Sequence, residues 1–165
     1  ENVLPIMAYS LSKTYTLYGT RCGAMICIAK TQEIADEFKR VCEYSSRGSW
    51  SNSAKVAQVI LSRIYGEPGL LERVDEERAH YREMLIKRGR AFEEEARNVG
   101  LKIVPFDAGF FISIPCSDPD AISAKLEKEG VFIVPLAKGL RVSVASISED
   151  KCRKLPAIIK AAMED

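Results

Sequence analysis

The stretch Ser10-Leu-Ser-Lys13-Thr-Tyr-Thr-Leu-Tyr18-Gly-Thr-Arg21-Cys-Gly23 lies between two apolar runs, Val3 to Tyr9 and Arg21 to Ala29. Near-continuous apolar runs of that length predict strands buried on both faces, as in an α/β sheet. The segment between them is polar and turn-like. It sets one lysine in a hydroxyl-rich turn and an arginine eight residues further on, where the chain re-enters the sheet. An amine is a usable nucleophile toward a carbonyl. Hydroxyls at Ser10 and Ser12 with the planar guanidinium of Arg21 suit a phosphate dianion. A solvated loop between two strands is the other reading that composition leaves open.

Working outward, Thr31 is a natural N-cap for a helix from Gln32 to about Tyr44, with Ile34, Phe38 and Val41 at helical spacing. Ser45 to Ser53 reads as a polar loop around Trp50, and Ala54 to Tyr65 as a helix stopped near Gly66 and Pro68. A long helix is predicted from about Leu70 to Asn98. Val74, Arg78, Tyr81, Leu85, Arg88, Phe92, Ala96 and Val99 recur along it in one semi-apolar stripe, and Gly100 follows its end.

The last third changes period. Lys102–Val104, Phe110–Ile114, Phe132–Val134 and Arg141–Ala145 are short β-rich segments. Asp118 to Glu129 reads as a helix with Pro119 at its first position, and Ser148 caps a final helix. The resulting order β-β-α-β-β-α predicts a small open sheet packed by helices. Residues 1–68 and 69–165 are the expected division of the chain.

Composition narrows the function classes. Hydrophobic residues make up 47% of the 165, which suffices for a buried core and excludes a disordered chain. Lys+Arg number 24 against 23 Asp+Glu, and no basic tract occurs, so nucleic acid is not an expected partner. No apolar run approaches the roughly 20 residues of a membrane span. The five cysteines (Cys22, Cys27, Cys42, Cys116, Cys152) are scattered and odd in number, which predicts buried thiols and a cytoplasmic protein. Cys22 and Cys27 could add only His80 as a zinc ligand, and His80, amid charges on the long helix, reads as a solvated residue. Glu93-Glu94-Glu95 reads as a charged helix face.

The Ser10–Gly23 segment resembles the cofactor-attachment segment of the class I/II pyridoxal-phosphate-dependent aminotransferases, the fold-type I family that includes aspartate and aromatic aminotransferases. The pattern is Ser-x-Ser-Lys, then Tyr and Gly around an Arg eight residues beyond the Lys. The resemblance implies that Lys13 carries pyridoxal 5'-phosphate on its amine and that Ser10 and Arg21 bind its phosphate, with Ser12 a further contact. Gly139-Leu-Arg141-Val is similar to the family's C-terminal strand, whose Arg grips the substrate α-carboxylate; alone, Arg141 could equally be a surface residue. Gly109-Phe110-Phe111 resembles the strand that approaches the substrate.

Arg47-Gly-Ser-Trp50-Ser51-Asn52 is similar to the Arg-x-x-Tyr-Ser-Asn loop of aspartate aminotransferases. That likeness implies that Arg47 reaches the neighbouring subunit's site in a homodimer, with Trp50 and Asn52 beside the substrate. Trp50 replaces the Tyr and no Pro-Pro follows Asn52, so aromatic or broad specificity stands beside a dicarboxylate one. Trp50 could instead be a buried anchor for its loop.

The resemblance covers nearly the whole chain but only the C-terminal portion of the family's length. It implies an α/β fold made of a remnant of the large-domain sheet, a long connecting helix and a small α/β domain. The implied substrates are an amino acid and a 2-oxo acid. The partner of the cofactor's ring nitrogen is expected in an N-terminal segment preceding residue 1, so these 165 residues alone are expected to bind the cofactor weakly or not at all. Another fold-type I enzyme (a carbon–sulfur lyase or an acyl-transferring synthase) and a non-catalytic fragment are the alternatives.

Overall fold

A computed structural model describes residues 3–164. The chain divides into two compact units, residues 1–73 and 74–165.

In the first unit, β1 (Ile6–Ser10) and β2 (Gly23–Cys27) form an antiparallel ribbon in which Ser10 lies opposite Gly23. Between them run α1 (Leu11–Thr14), one turn long, and a 3-10 turn over Tyr18–Thr20, so the expected polar loop is largely helical. Helix α2 (Gln32–Ser49) starts where Thr31 accepts a hydrogen bond from the Ile34 N–H at 3.4 Å. It continues past the expected end at Tyr44, so that most of the loop over Ser45–Ser53 is also helix. Helix α3 spans Lys55–Gly66.

Few side chains are buried in this unit: Leu11, Tyr15, Cys22, Ala57 and Ile64. Tyr15, just after the α1 turn, meets Tyr65 of α3 edge to face, with ring centroids 6.5 Å apart. The strands differ from expectation. Ile6 and Met25 are more than half exposed, and α2 buries no side chain. A two-stranded ribbon has no layer above or below it, so apolar strand faces stay open.

In the second unit the sheet has the order β3-β5-β4, antiparallel throughout, with β3 at Phe111–Pro115, β4 at Val134–Leu136 and β5 at Gly139–Ser143. The expected strand Lys102–Val104 does not form. The Val104 N–H donates to the Ser113 carbonyl at 2.9 Å, but Pro105 follows and has no N–H to extend the ladder. The element order is therefore β-α-β-β-α after the long helix α4 (Leu70–Asn98), with α5 at Pro119–Lys128 and α6 at Glu149–Glu164. Asp118 caps α5 by accepting from the Ala121 N–H at 3.1 Å, and Ser148 caps α6 by accepting from the Lys151 N–H at 3.4 Å.

Alternation along the strands builds the core. Ile112 and Ile114 of β3 and Leu140 and Val142 of β5 point to one face, where they meet Phe92 and Ala96 of α4, Leu126 of α5, and Cys152 and Ile159 of α6. Only the second half of α4 takes part: Arg78 and Tyr81 are exposed, and burial begins near Met84.

Gly89 shows how tight that packing is. A Cβ there would overlap the ring of the buried Phe106. Helix propensity alone would make Gly89→Ala stabilising by about 1 kcal/mol. The overlap reverses the sign, and a net loss of about 1–3 kcal/mol is expected in urea unfolding. A stabilised variant would show that Phe106 gives way freely.

All five cysteines are free, with Cys22 and Cys152 buried and the other three partly so. Burial raises the Cys152 thiol pKa. Among the described residues no group of His, Cys, Asp and Glu could hold a metal, and no helix is long and apolar enough to cross a membrane.

Candidate active site

Ser10 ends β1 and caps α1, its hydroxyl oxygen accepting from the Ser12 N–H at 3.3 Å. With that lone pair engaged, the Ser10 O–H remains able to donate outward. One residue past Ser12, Lys13 extends from the exposed side of the turn. Its Nζ lies 4.6 Å from the centroid of the Tyr18 ring.

Arg21 reaches the same ring, its guanidinium carbon 5.3 Å from the centroid. The backbone makes this possible. Arg21 has φ +51°, a left-handed conformation that costs a non-glycine residue about 1–2 kcal/mol. It turns the guanidinium back over the 3-10 turn, where Nη1 donates to the Tyr18 carbonyl at 3.2 Å. Two cations are thus gathered around one aromatic ring. From below, the buried Tyr15 steadies the turn: its hydroxyl is 2.5 Å from that of Tyr65 on α3.

Arg47 lies in the last turn of α2, not in a loop, and its Nη1 donates to the Ser51 hydroxyl. Ser51 adopts φ +73°, which ends the helix, and the Asn52 N–H donates to the Trp50 carbonyl at 2.9 Å. Trp50 is 70% exposed. Its expected alternative role as a buried anchor is therefore not fulfilled within this chain.

In the second unit, Arg141 lies in the central strand β5, on the face opposite the core. Gly139 before it is dictated by close approach, since a Cβ there would strike the Ile114 carbonyl oxygen. The Arg141 guanidinium stacks on Phe111, 4.5 Å from the ring centroid. Its Nε is buried with no hydrogen-bond partner. An unpaired buried donor on a cation is costly, and a bidentate carboxylate is the ligand that satisfies it best.

Lys13, Ser10, Ser12 and Arg21 therefore share the first unit's turn, Arg47, Trp50 and Asn52 share the end of α2, and Arg141 stands on the second unit's sheet. The Arg141–Phe111 stack is the element that residue-by-residue reading misses, because it depends on strand register.

Several other charged residues pair with one another. Arg90 pairs with Glu93 at 2.7 Å and Arg153 with Glu94 at 3.1 Å, as a solvated helix face requires. Hydrogen bonds from Lys87 and then Arg153 hold the Glu149 carboxyl below its ordinary pKa. His80, exposed, borders an open cleft of about 410 Å³ with Met84, Lys87, Ser148 and Glu149, and no expected site residue lines that cleft.

The sequence matches the family described as aminotransferase class I and II over residues 2–159. The chain belongs to that family. It is 29% identical over 146 residues to an aromatic amino acid aminotransferase of Cutibacterium acnes, covering 88% of this chain and 37% of that one. A crystal structure of an aminotransferase from Anaerococcus prevotii superposes with a TM-score of 0.93 at 34% identity, over 99% of this chain and 40% of that one. The aromatic-amino-acid aminotransferase of Burkholderia pseudomallei, covalently bound to pyridoxal phosphate, shares the fold with a TM-score of 0.75 at 20% identity, over 98% of this chain and 41% of that one.

The aminotransferase chain thus spans about two-fifths of the length of these relatives. Its mixed α/β fold is that of part of a fold-type I aminotransferase. The donor set suits the family's cofactor: an amine for its aldehyde, and a guanidinium with serine hydroxyls for its phosphate.

Proposed function

We propose that this chain is the C-terminal portion of a pyridoxal-phosphate-dependent aminotransferase that moves an amino group between an amino acid and a 2-oxo acid. The gathering of Lys13 and Arg21 on the Tyr18 ring, within the segment that matches the family's pattern, carries the proposal. Residues 1–68 are the remnant of the large domain, and residues 69–165 are the linking helix and small domain.

Lys13 would hold the cofactor's aldehyde carbon, and Ser10, Ser12 and Arg21 its phosphate. When bound, the cofactor supplies a ring that withdraws electrons from the substrate α-carbon. Once the substrate's amine displaces it from the aldehyde carbon, the freed Lys13 Nζ would carry the proton between the substrate α-carbon and the cofactor. Arg141 would fix the substrate α-carboxylate through two parallel N–H donors. Arg47, with Asn52, contacts the substrate's other end across a homodimer interface, and the exposed indole of Trp50 offers a stacking face there.

No residue of this chain is assigned to the cofactor's ring nitrogen. That partner belongs to the N-terminal part of the intact protein, so the 165 residues alone hold the cofactor weakly or not at all. The intact protein is expected to convert phenylalanine or aspartate with 2-oxoglutarate into glutamate and the corresponding 2-oxo acid. Phenylalanine is expected to serve at least as well as aspartate, because Trp50 stands where a dicarboxylate-specific loop has Tyr. An enzyme that forms no glutamate but releases pyruvate from cystathionine would overturn the assignment in favour of a carbon–sulfur lyase.

A further inference from the structure

On the outer face of the second unit's sheet, Arg141 of β5 lies opposite Ser113 of β3, and Phe111 is Ser113's neighbour on the same face. Phe111 and Arg141 are therefore diagonal cross-strand neighbours, close enough for a long side chain to cover a ring. Arg141 does so, its guanidinium carbon 4.5 Å from the ring centroid. Phe111 is 41% exposed and contributes nothing to the core, which lies on the other face beneath Ile112 and Ile114.

The second observation is the buried Nε of Arg141, which has no partner. A free arginine side chain would rotate until that donor met water. Stacking removes this freedom: the guanidinium is held over the ring while its Nε stays buried and unpaired. We propose that Phe111 is the positioning residue for Arg141, a platform that pre-orients the guanidinium edge toward a carboxylate before the ligand binds. The inference rests on the assignment of Arg141 to carboxylate binding. It adds the reason that the arginine is ready in the ligand-free chain. Pre-orientation lowers the entropy lost on binding.

The test uses the full 165-residue chain, with propionate as the carboxylate probe and the arginine Nε–H resonances as the readout. The Arg141 signal is identified by its loss in Arg141→Lys. In the unsubstituted chain it is expected upfield of the other arginine Nε–H signals, because it lies over a ring, and it is expected to shift saturably with propionate. Phe111→Leu is expected to abolish the upfield displacement and to weaken propionate binding about fivefold, the usual cost of ordering one flexible side chain on binding. The amide signals of Ile112 and Val142 should stay in place. Phe111→Tyr should restore both the displacement and the affinity, which a merely structural defect would not.

Unchanged propionate affinity in Phe111→Leu would overturn the inference. So would an Arg141 signal in the unsubstituted chain that shows no ring displacement, an outcome that needs no variant to fold. Failure of the underlying assignment looks different. The ring displacement would be present, but the Arg141 signal would not move with propionate, which overturns the carboxylate role and the pre-orientation built on it.

Discussion

Replacing Lys13 by Ala in the intact aminotransferase is expected to lower kcat by about 10³-fold or more, the usual effect of removing a nucleophile that also serves as the acid–base group. The side chain is exposed at the tip of the α1 turn, so stability should change by no more than about 0.5 kcal/mol. Lys13→Arg sharpens the test. It keeps the positive charge and the contact with Tyr18, but a guanidinium stays protonated and cannot serve as an amine. If Lys13 only contributed charge beside Arg21, Lys13→Arg would retain most of the activity. If its amine does the chemistry, the two variants should be equally inactive, measured by initial rates with phenylalanine and 2-oxoglutarate. Retained turnover in Lys13→Ala would remove this lysine from the reaction.

The geometry of the candidate turn is legible from sequence because it is local. Lys13, Tyr18 and Arg21 lie within one turn, and a single left-handed residue, Arg21, suffices to bring the two cations to one ring. The Arg141–Phe111 stack joins two strands, and its geometry depends on pairing register. A slip of one residue would send Phe111 to the core face and Ile112 outward. Spacing along the chain carries no record of that register.

The elements divide in the same way. Helix α4 matches its expected span, Leu70–Asn98, since Pro68 and Gly100 bracket it. Helix α2 overruns because Ser45, Ser46, Gly48 and Ser49, although weak helix formers, are followed by no proline. The helix ends only where Ser51 turns left-handed. Strand β4 is displaced from Phe132–Val134 to Val134–Leu136. Pro135 is tolerated inside it because β4 is an edge strand, a fact of topology that the local sequence does not contain. The open faces of β1 and β2 have the same origin. Their apolar pattern predicts cover on both faces, whereas among the described residues those faces stay exposed.

Stability should be as unevenly shared as burial. Phe92 is fully buried on α4 among Ile112, Ile114, Leu140 and Ile159, and it is the largest fully buried side chain among the described residues. Phe92→Ala is expected to cost the second unit about 3–5 kcal/mol, combining lost transfer energy with a cavity that the surrounding helices cannot fill. Phe132, 81% exposed, is the control: Phe132→Ala should stay within about 0.5 kcal/mol. The probe decides whether the effect is seen. The single tryptophan, Trp50, lies in the first unit, so its fluorescence reports a different part of the chain. Amide exchange at Ile112 and Val142, inward residues of the paired strands β3 and β5, reports the second unit directly. Protection there should fall by the full amount in Phe92→Ala while the Trp50 signal keeps its own transition. A loss below about 1 kcal/mol at those amides would mean that α4 does not anchor the sheet, because a well-packed phenylalanine cannot be removed from a core so cheaply.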